Sequence, residues 1–199
     1  MTSVAKHFLT ENHLKAIGLV VAEWSYTELF LEYLIWEIAQ LDDYQGPAIT
    51  THLASETRIH ILETLADTGL HNKTHKTELK DIVNRLRDLR TKRNNIVHAI
   101  WLSSKPLAPI TLLTSKKRKS IPASIRVKAK GKINITRVPF TSKEILSVAS
   151  EITHLGSNMT DLVAKIQKDR EGREAVAKAL LARRTPAQSP DPKTTKPQA

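Results

Sequence analysis

The sequence predicts a mainly α protein, an antiparallel helical bundle with a basic β-hairpin inserted before its last main helix. Three observations carry that prediction. Apolar residues recur at steps of three and four through several long stretches, the mark of helices with one buried stripe. Between two of these stretches the period drops to two, as in half-buried strands. Thr141-Ser142-Lys143-Glu144 then reads as a capping box, flanked by Phe140 and Ile145 as a hydrophobic staple, which sets the start of the last helix.

The first helix enters at Thr10, with Leu9 and Leu14 at staple positions, and keeps its period through Leu14, Ile17, Val21, Trp24, Leu31, Leu34, Ile35, Ile38 and Leu41 to Asp42-Asp43. That is a rod of roughly 45 Å at 1.5 Å per residue. Its aromatics, Trp24, Tyr26, Phe30, Tyr33 and Trp36, belong to a core or an interface rather than to a base-stacking platform. Gly46-Pro47 ends it. A second helix is expected over Thr51 to Asp67, closed by Gly69, and His71 to His75 reads as a loop with two solvated histidines. No carboxylate or Cys completes a metal set there, so no metal and no cofactor are expected.

The central helix is expected from about Thr77 to Trp101, with Pro106 and Pro109 preventing its continuation. Next come Ile125, Val127 and Ala129 alternating with Arg126, Lys128 and Lys130, then Ile133 and Ile135 alternating with Lys132, Asn134 and Thr136. A three-residue loop with Gly131 left-handed is expected to pair Val127 with Ile133 and Ile125 with Ile135, giving one apolar and one basic face. Ile110 to Thr114 offers a third strand, and Lys116-Lys117-Arg118-Lys119 an exposed loop. The last helix carries its stripe from Ile145 to Ile166. One helical domain is therefore expected over residues 1–168 with the insert at about 109–139, then a basic helical extension over 169–184 and a disordered tail over 185–199.

Composition narrows the function classes. The most apolar short run, Ala16 to Ala22, lies between Lys15 and Glu23 and is far below the ~20 residues that cross a bilayer, and no secretory pattern opens the chain. Cysteine is absent, which removes disulfides and thiol chemistry and favours a cytoplasmic protein. The net charge of +11 is unevenly spread. Met1 to Asp88 holds 8 Lys+Arg against 13 Asp+Glu, Leu89 to Lys143 holds 14 against none, and the remainder 9 against 7. A block without one carboxylate is the footprint of a surface for a polyphosphate, RNA or, through backbone contacts, DNA. The candidate nucleic-acid contacts are Lys116, Lys117, Arg118, Lys119, Arg126, Lys128, Lys130 and Lys132.

That block begins where the central helix breaks its own pattern. Leu79, Ile82, Leu86, Leu89, Ile96 and Ile100 form the stripe, and Arg93 stands where another Leu or Ile is called for. A guanidinium is rarely buried unpaired, because desolvating it costs several kcal/mol. Asn94 follows, and His98 sits one turn after Asn94, so a permanent cation, an amide and a group titrating near neutrality can face one cleft.

Arg93-Asn94-Asn95-Ile96-Val97-His98 resembles the Arg-x(4 to 6)-His motif of the HEPN superfamily, helical domains many of which are metal-independent ribonucleases. Asn94 matches the polar residue often found after the Arg, and Trp24-x-x-x-Glu28-x-x-x-Glu32 is similar to the pattern of HEPN first helices. The resemblance implies a homodimer in which two motifs face each other across a symmetric cleft, and a place among toxin or defence effectors, with an antitoxin protein as a partner. It assigns catalysis to Arg93, Asn94 and His98. The basic ribbon is not part of that motif. Two other readings stand beside the enzyme: a non-catalytic nucleic-acid-binding module, and a dimerisation domain in which Arg93 pairs with Glu28 or Glu32 and His98 is a surface residue.

Overall fold

The structure, a computed structural model, describes residues 9–102, 123–129 and 133–184. The protein is mainly helical. Its elements are α1 (Glu11–Ala39), α2 (Gln45–Thr50), α3 (Ser55–Thr68), α4 (Lys73–Val97), β1 (Ile100–Leu102), β2 (Ala123–Ala129), β3 (Ile133–Pro139) and α5 (Ser142–Arg184).

Each long helix buries one stripe in a shared core. Ala16, Val20, Trp24, Leu31 and Leu34 come from α1, Ile59 and Leu62 from α3, Leu79, Leu86 and Ile96 from α4, and Ile152, Leu155, Met159 and Leu162 from α5. Each fully buried Leu or Ile contributes about 1.5–3 kcal/mol against its exposed state. α3 with α4 and α4 with α5 are antiparallel, as Glu63–Arg87, Glu56–Arg90, Glu78–Lys165 and Glu151–Lys92 require. The bundle is not antiparallel throughout. His13 meets Phe140, Glu23 meets Thr153 and Glu37 meets Arg170, so α1 and α5 run the same way. Glu28–Ser55 and Glu32–Arg58 make α1 and α3 parallel as well.

The parallel pair arises from a turn that the periodicity does not reveal. α1 stops at Ala39 rather than Asp42-Asp43, because Gln40 takes a left-handed φ of 56°. Asp42 Oδ1 accepts the N–H groups of Tyr44 and Gln45 and so starts α2, with Pro47 in its first turn, where a missing N–H costs nothing. α2 carries the chain back along α1. The helix expected from Thr51 therefore begins at Ser55.

The central helix begins earlier than expected, at Lys73, because Asn72 Oδ1 accepts the N–H of Thr74. This corrects the reading of the His71–His75 loop: His75 lies in the first turn of α4, buried, 3.5 Å from Asp169. At its other end α4 stops at Val97, and Trp101 joins β1 instead of the helix. Trp101 is half-buried, donates to the Ile96 carbonyl and packs on Phe140, which fastens the start of the insert to the bundle.

The three strands form an antiparallel sheet in the order β1-β2-β3. Its register differs from the expectation by two residues, with Val127 opposite Ile135 and Ala129 opposite Ile133. Three residues separate β2 from β3, and a loop of that length closes on Ala129 and Ile133 rather than two residues further in. The strand expected at Ile110 to Thr114, the Lys116 to Lys119 loop and Gly131 lie outside the described residues. α5 begins on its capping box, with Thr141 N–H and hydroxyl donating to Glu144 at 2.6 and 2.9 Å and Glu144 N–H returning to Thr141 Oγ1. It runs unbroken through Gly172 to Arg184, and Glu171 to Ala179 are exposed, beyond the last buried stripe residue, Ile166.

Candidate functional site

Arg93 lies in the buried stripe of α4, yet it is only half-buried, and the length of α3 explains why. Arg90 pairs with Glu56 in the first turn of α3, so Arg93, almost one turn further on, is past the end of that helix. The stripe continues where one covering helix has stopped. A guanidinium is tolerated there because the rim leaves it partly hydrated.

Residues five apart on a straight helix point about 140° away from each other, so Arg93 and His98 would not meet. They do meet, because α4 ends between them. His98 is the C-cap, with φ −98° and ψ 12°, its N–H bonded to the Asn94 carbonyl at 3.2 Å. Its ring turns back onto Arg93, whose Nη1 lies 2.9 Å from His98 Nε2 and donates to Asn94 Oδ1 at 3.0 Å. The guanidinium has no lone pair, so Nε2 must be the acceptor and the proton of neutral His98 sits on Nδ1. Arg93, Asn94 and His98 thus form one cluster at the end of α4, with His98 exposed and the other two half-buried.

Arg93 stands apart from its basic neighbours. Arg87, Arg90 and Lys92 are paired with Glu63, Glu56 and Glu151, and the Arg87 hydrogen bond is the largest of the effects that hold the exposed Glu63 carboxyl below its usual range. Arg93 has no carboxylate partner among the described residues, and its Nε is buried without an acceptor. Asn95 Oδ1, next to the cluster, is also buried without a partner among the described residues. The pairing of Arg93 with Glu28 or Glu32 expected of a purely structural domain is not formed. Glu28 accepts from Ser55 Oγ, and Glu32 pairs with Arg58 at 2.7 Å.

Arg58 was legible by the signal that singled out Arg93, a charge four residues from Leu62 in the α3 stripe, and it was missed. It is 8 % exposed and donates to the carbonyls of Thr50 and Thr51, tying the end of α2 to Glu32 on α1. Trp36 Nε1 joins through the Thr50 hydroxyl, which itself donates to Glu32. His13 was missed too: buried, it bridges Thr10 and the Phe140 carbonyl and holds the start of α1 to the entry of α5.

Of the basic ribbon, Arg126 and Lys128 occupy β2 positions opposite Thr136 and Asn134. Lys116, Lys117, Arg118, Lys119, Lys130 and Lys132 lie outside the described residues. Among the described residues no group of three or more His, Asp or Glu could hold a metal ion, and no helix is long and apolar enough to cross a membrane. No family model matches the chain, and no match was found among curated proteins or among solved structures.

Proposed function

We propose that the protein is a metal-independent endoribonuclease of HEPN type acting on single-stranded RNA as a homodimer, with Arg93, Asn94 and His98 as its catalytic set. The observation that supports this reading most is the Arg93–His98 contact at the end of α4, a cation and an imidazole joined at a rim with no carboxylate to neutralise them. The chemistry follows from the groups. A 2′-hydroxyl of RNA loses its proton to His98 and attacks the adjacent phosphorus, the bond to the 5′ oxygen breaks, and that oxygen takes up a proton. The products are a 2′,3′-cyclic phosphate and a 5′-hydroxyl. Arg93 stabilises the charge that develops on the phosphoryl oxygens, and Asn94 orients Arg93. The basic insert, with Arg126, Lys128, Lys130, Lys132 and the Lys116 to Lys119 run, guides the strand; DNA binds there but is not cut. The protein then acts as a toxin or defence effector held by an antitoxin.

The second reading, a nucleic-acid-binding module without catalysis, is favoured by one observation of its own, the absence of any Asp or Glu from Leu89 to Lys143. The two separate in one assay: EDTA-treated protein on single-stranded RNA, wild type beside His98→Ala, with ends analysed for cyclic phosphate. The enzyme reading expects a loss of roughly 100-fold or more. Equal cleavage by both proteins would expose a contaminating nuclease, and cleavage by neither would leave the binding module.

A further inference from the structure

Arg93 occupies the lone pair that a proton acceptor needs. Nη1 donates to His98 Nε2, so the nitrogen able to take a proton from a 2′-hydroxyl is covered in the resting protomer, and the other ring nitrogen carries hydrogen. The same resting position is poor for Arg93 itself, whose Nε is buried with no acceptor among the described residues. A guanidinium binds a phosphate best through two parallel N–H donors, and Nε with Nη2 makes such a pair once the side chain swings outward. From these three facts, and resting on the ribonuclease reading above, we infer that Arg93 is a latch on His98: the phosphodiester of the substrate draws the guanidinium out of the rim, gives Nε its missing acceptor and uncovers Nε2 as the proton acceptor.

The latch makes the base available only when a phosphate is seated. Asn94 is the pivot, since its Oδ1 holds the same Nη1 nitrogen and leaves the second nitrogen of the outer edge without a claim. Imidazole 15N spectra of the full-length protein, recorded above the titration range of free His, read the state of His98 directly. The probe is a single-stranded 2′-deoxyribo-oligonucleotide, which carries the phosphodiester but not the attacking hydroxyl. Without probe, His98 should appear as the Nδ1–H tautomer with a hydrogen-bonded Nε2; saturating probe should shift Nε2 towards the position of a free acceptor nitrogen. Arg93→Ala should show that shifted Nε2 with no probe present, and probe should add nothing further. An Nε2–H tautomer in the free protein, an Nε2 resonance unmoved by bound probe, or no binding of the probe at low salt would each overturn the latch. RNA cleavage with an unmoved Nε2 would sink the latch and keep the nuclease. A shifted Nε2 with no RNA cleavage would keep the phosphate site and sink the nuclease.

Discussion

Arg58→Met is the sharpest test of what sets the bundle's shape around the candidate site. Arg58 and Glu32 are 9 % and 16 % exposed at their side chains and lie 2.7 Å apart. The guanidinium also donates to the Thr50 carbonyl at 3.0 and 3.2 Å and to Thr51 at 3.4 Å. Methionine replaces most of the volume, so the loss is electrostatic rather than a cavity. Among the described residues it leaves the Glu32 carboxylate facing only the Thr50 hydroxyl at 3.1 Å, whose one proton the Gly46 carbonyl at 3.0 Å also competes for. Breaking a buried pair from one side costs about 3–5 kcal/mol, and the remaining hydroxyl places this case near the lower end, about 3 kcal/mol. At 2–4 °C per kcal/mol for a chain of this length, the melting midpoint followed by circular dichroism should fall by about 6–12 °C. Glu32→Gln added to Arg58→Met removes the stranded charge and should recover at least about 1 kcal/mol of that loss. A single variant within about 1 kcal/mol of wild type would mean that the pair is solvated and that something else fixes α2 and α3.

The remaining expectations concern the local turns and the basic insert. In Gly46→Ala the new Cβ would stand 2.5–2.7 Å from ring carbons of Trp36, whose indole N–H is held by Thr50, so overpacking should cost about 1–3 kcal/mol, read by denaturant unfolding followed by tryptophan fluorescence. The backbone N–H of Thr141, then its hydroxyl, hold the Glu144 carboxyl below its usual range; a depressed folded value stabilises at neutral pH and is lost as pH falls through that value, so Glu144→Gln should narrow the stability gap between neutral and acidic pH. Replacing Arg126, Lys128, Lys130 and Lys132 by Gln should flatten the dependence of log K for RNA on log salt by about 0.7 to 0.9 per lost contact, and an unchanged slope would reduce the ribbon to a solvated surface.

The sequence alone determined the buried stripes of α4 from Leu79 to Ile96, of α5, and of α1 from Trp24 to Ile38, because a helical stripe needs only local periodicity, and it determined the start of α5, because a capping box is satisfied within four residues. Ahead of Trp24 the expected stripe was displaced: Leu14 and Val21 are exposed, and His13, Ala16 and Val20 face the core instead. It also singled out Arg93, Asn94 and His98 as chemistry-bearing types on one segment. Tertiary structure decided what those types can do. Arg93 and His98 meet only because α4 ends at Val97, and Arg93 lies at a rim only because α3 begins at Ser55. That start depends on α2, on Gln40 in a left-handed conformation and on Arg58 reaching Thr50 and Glu32, contacts between residues 8 and 26 positions apart that no helical or strand period encodes. At His75 the local and tertiary contributions divide: the helical turn is local, started by Asn72 Oδ1 accepting the Thr74 N–H, while the burial of the ring beside Asp169 comes from the packing of α5 on α4.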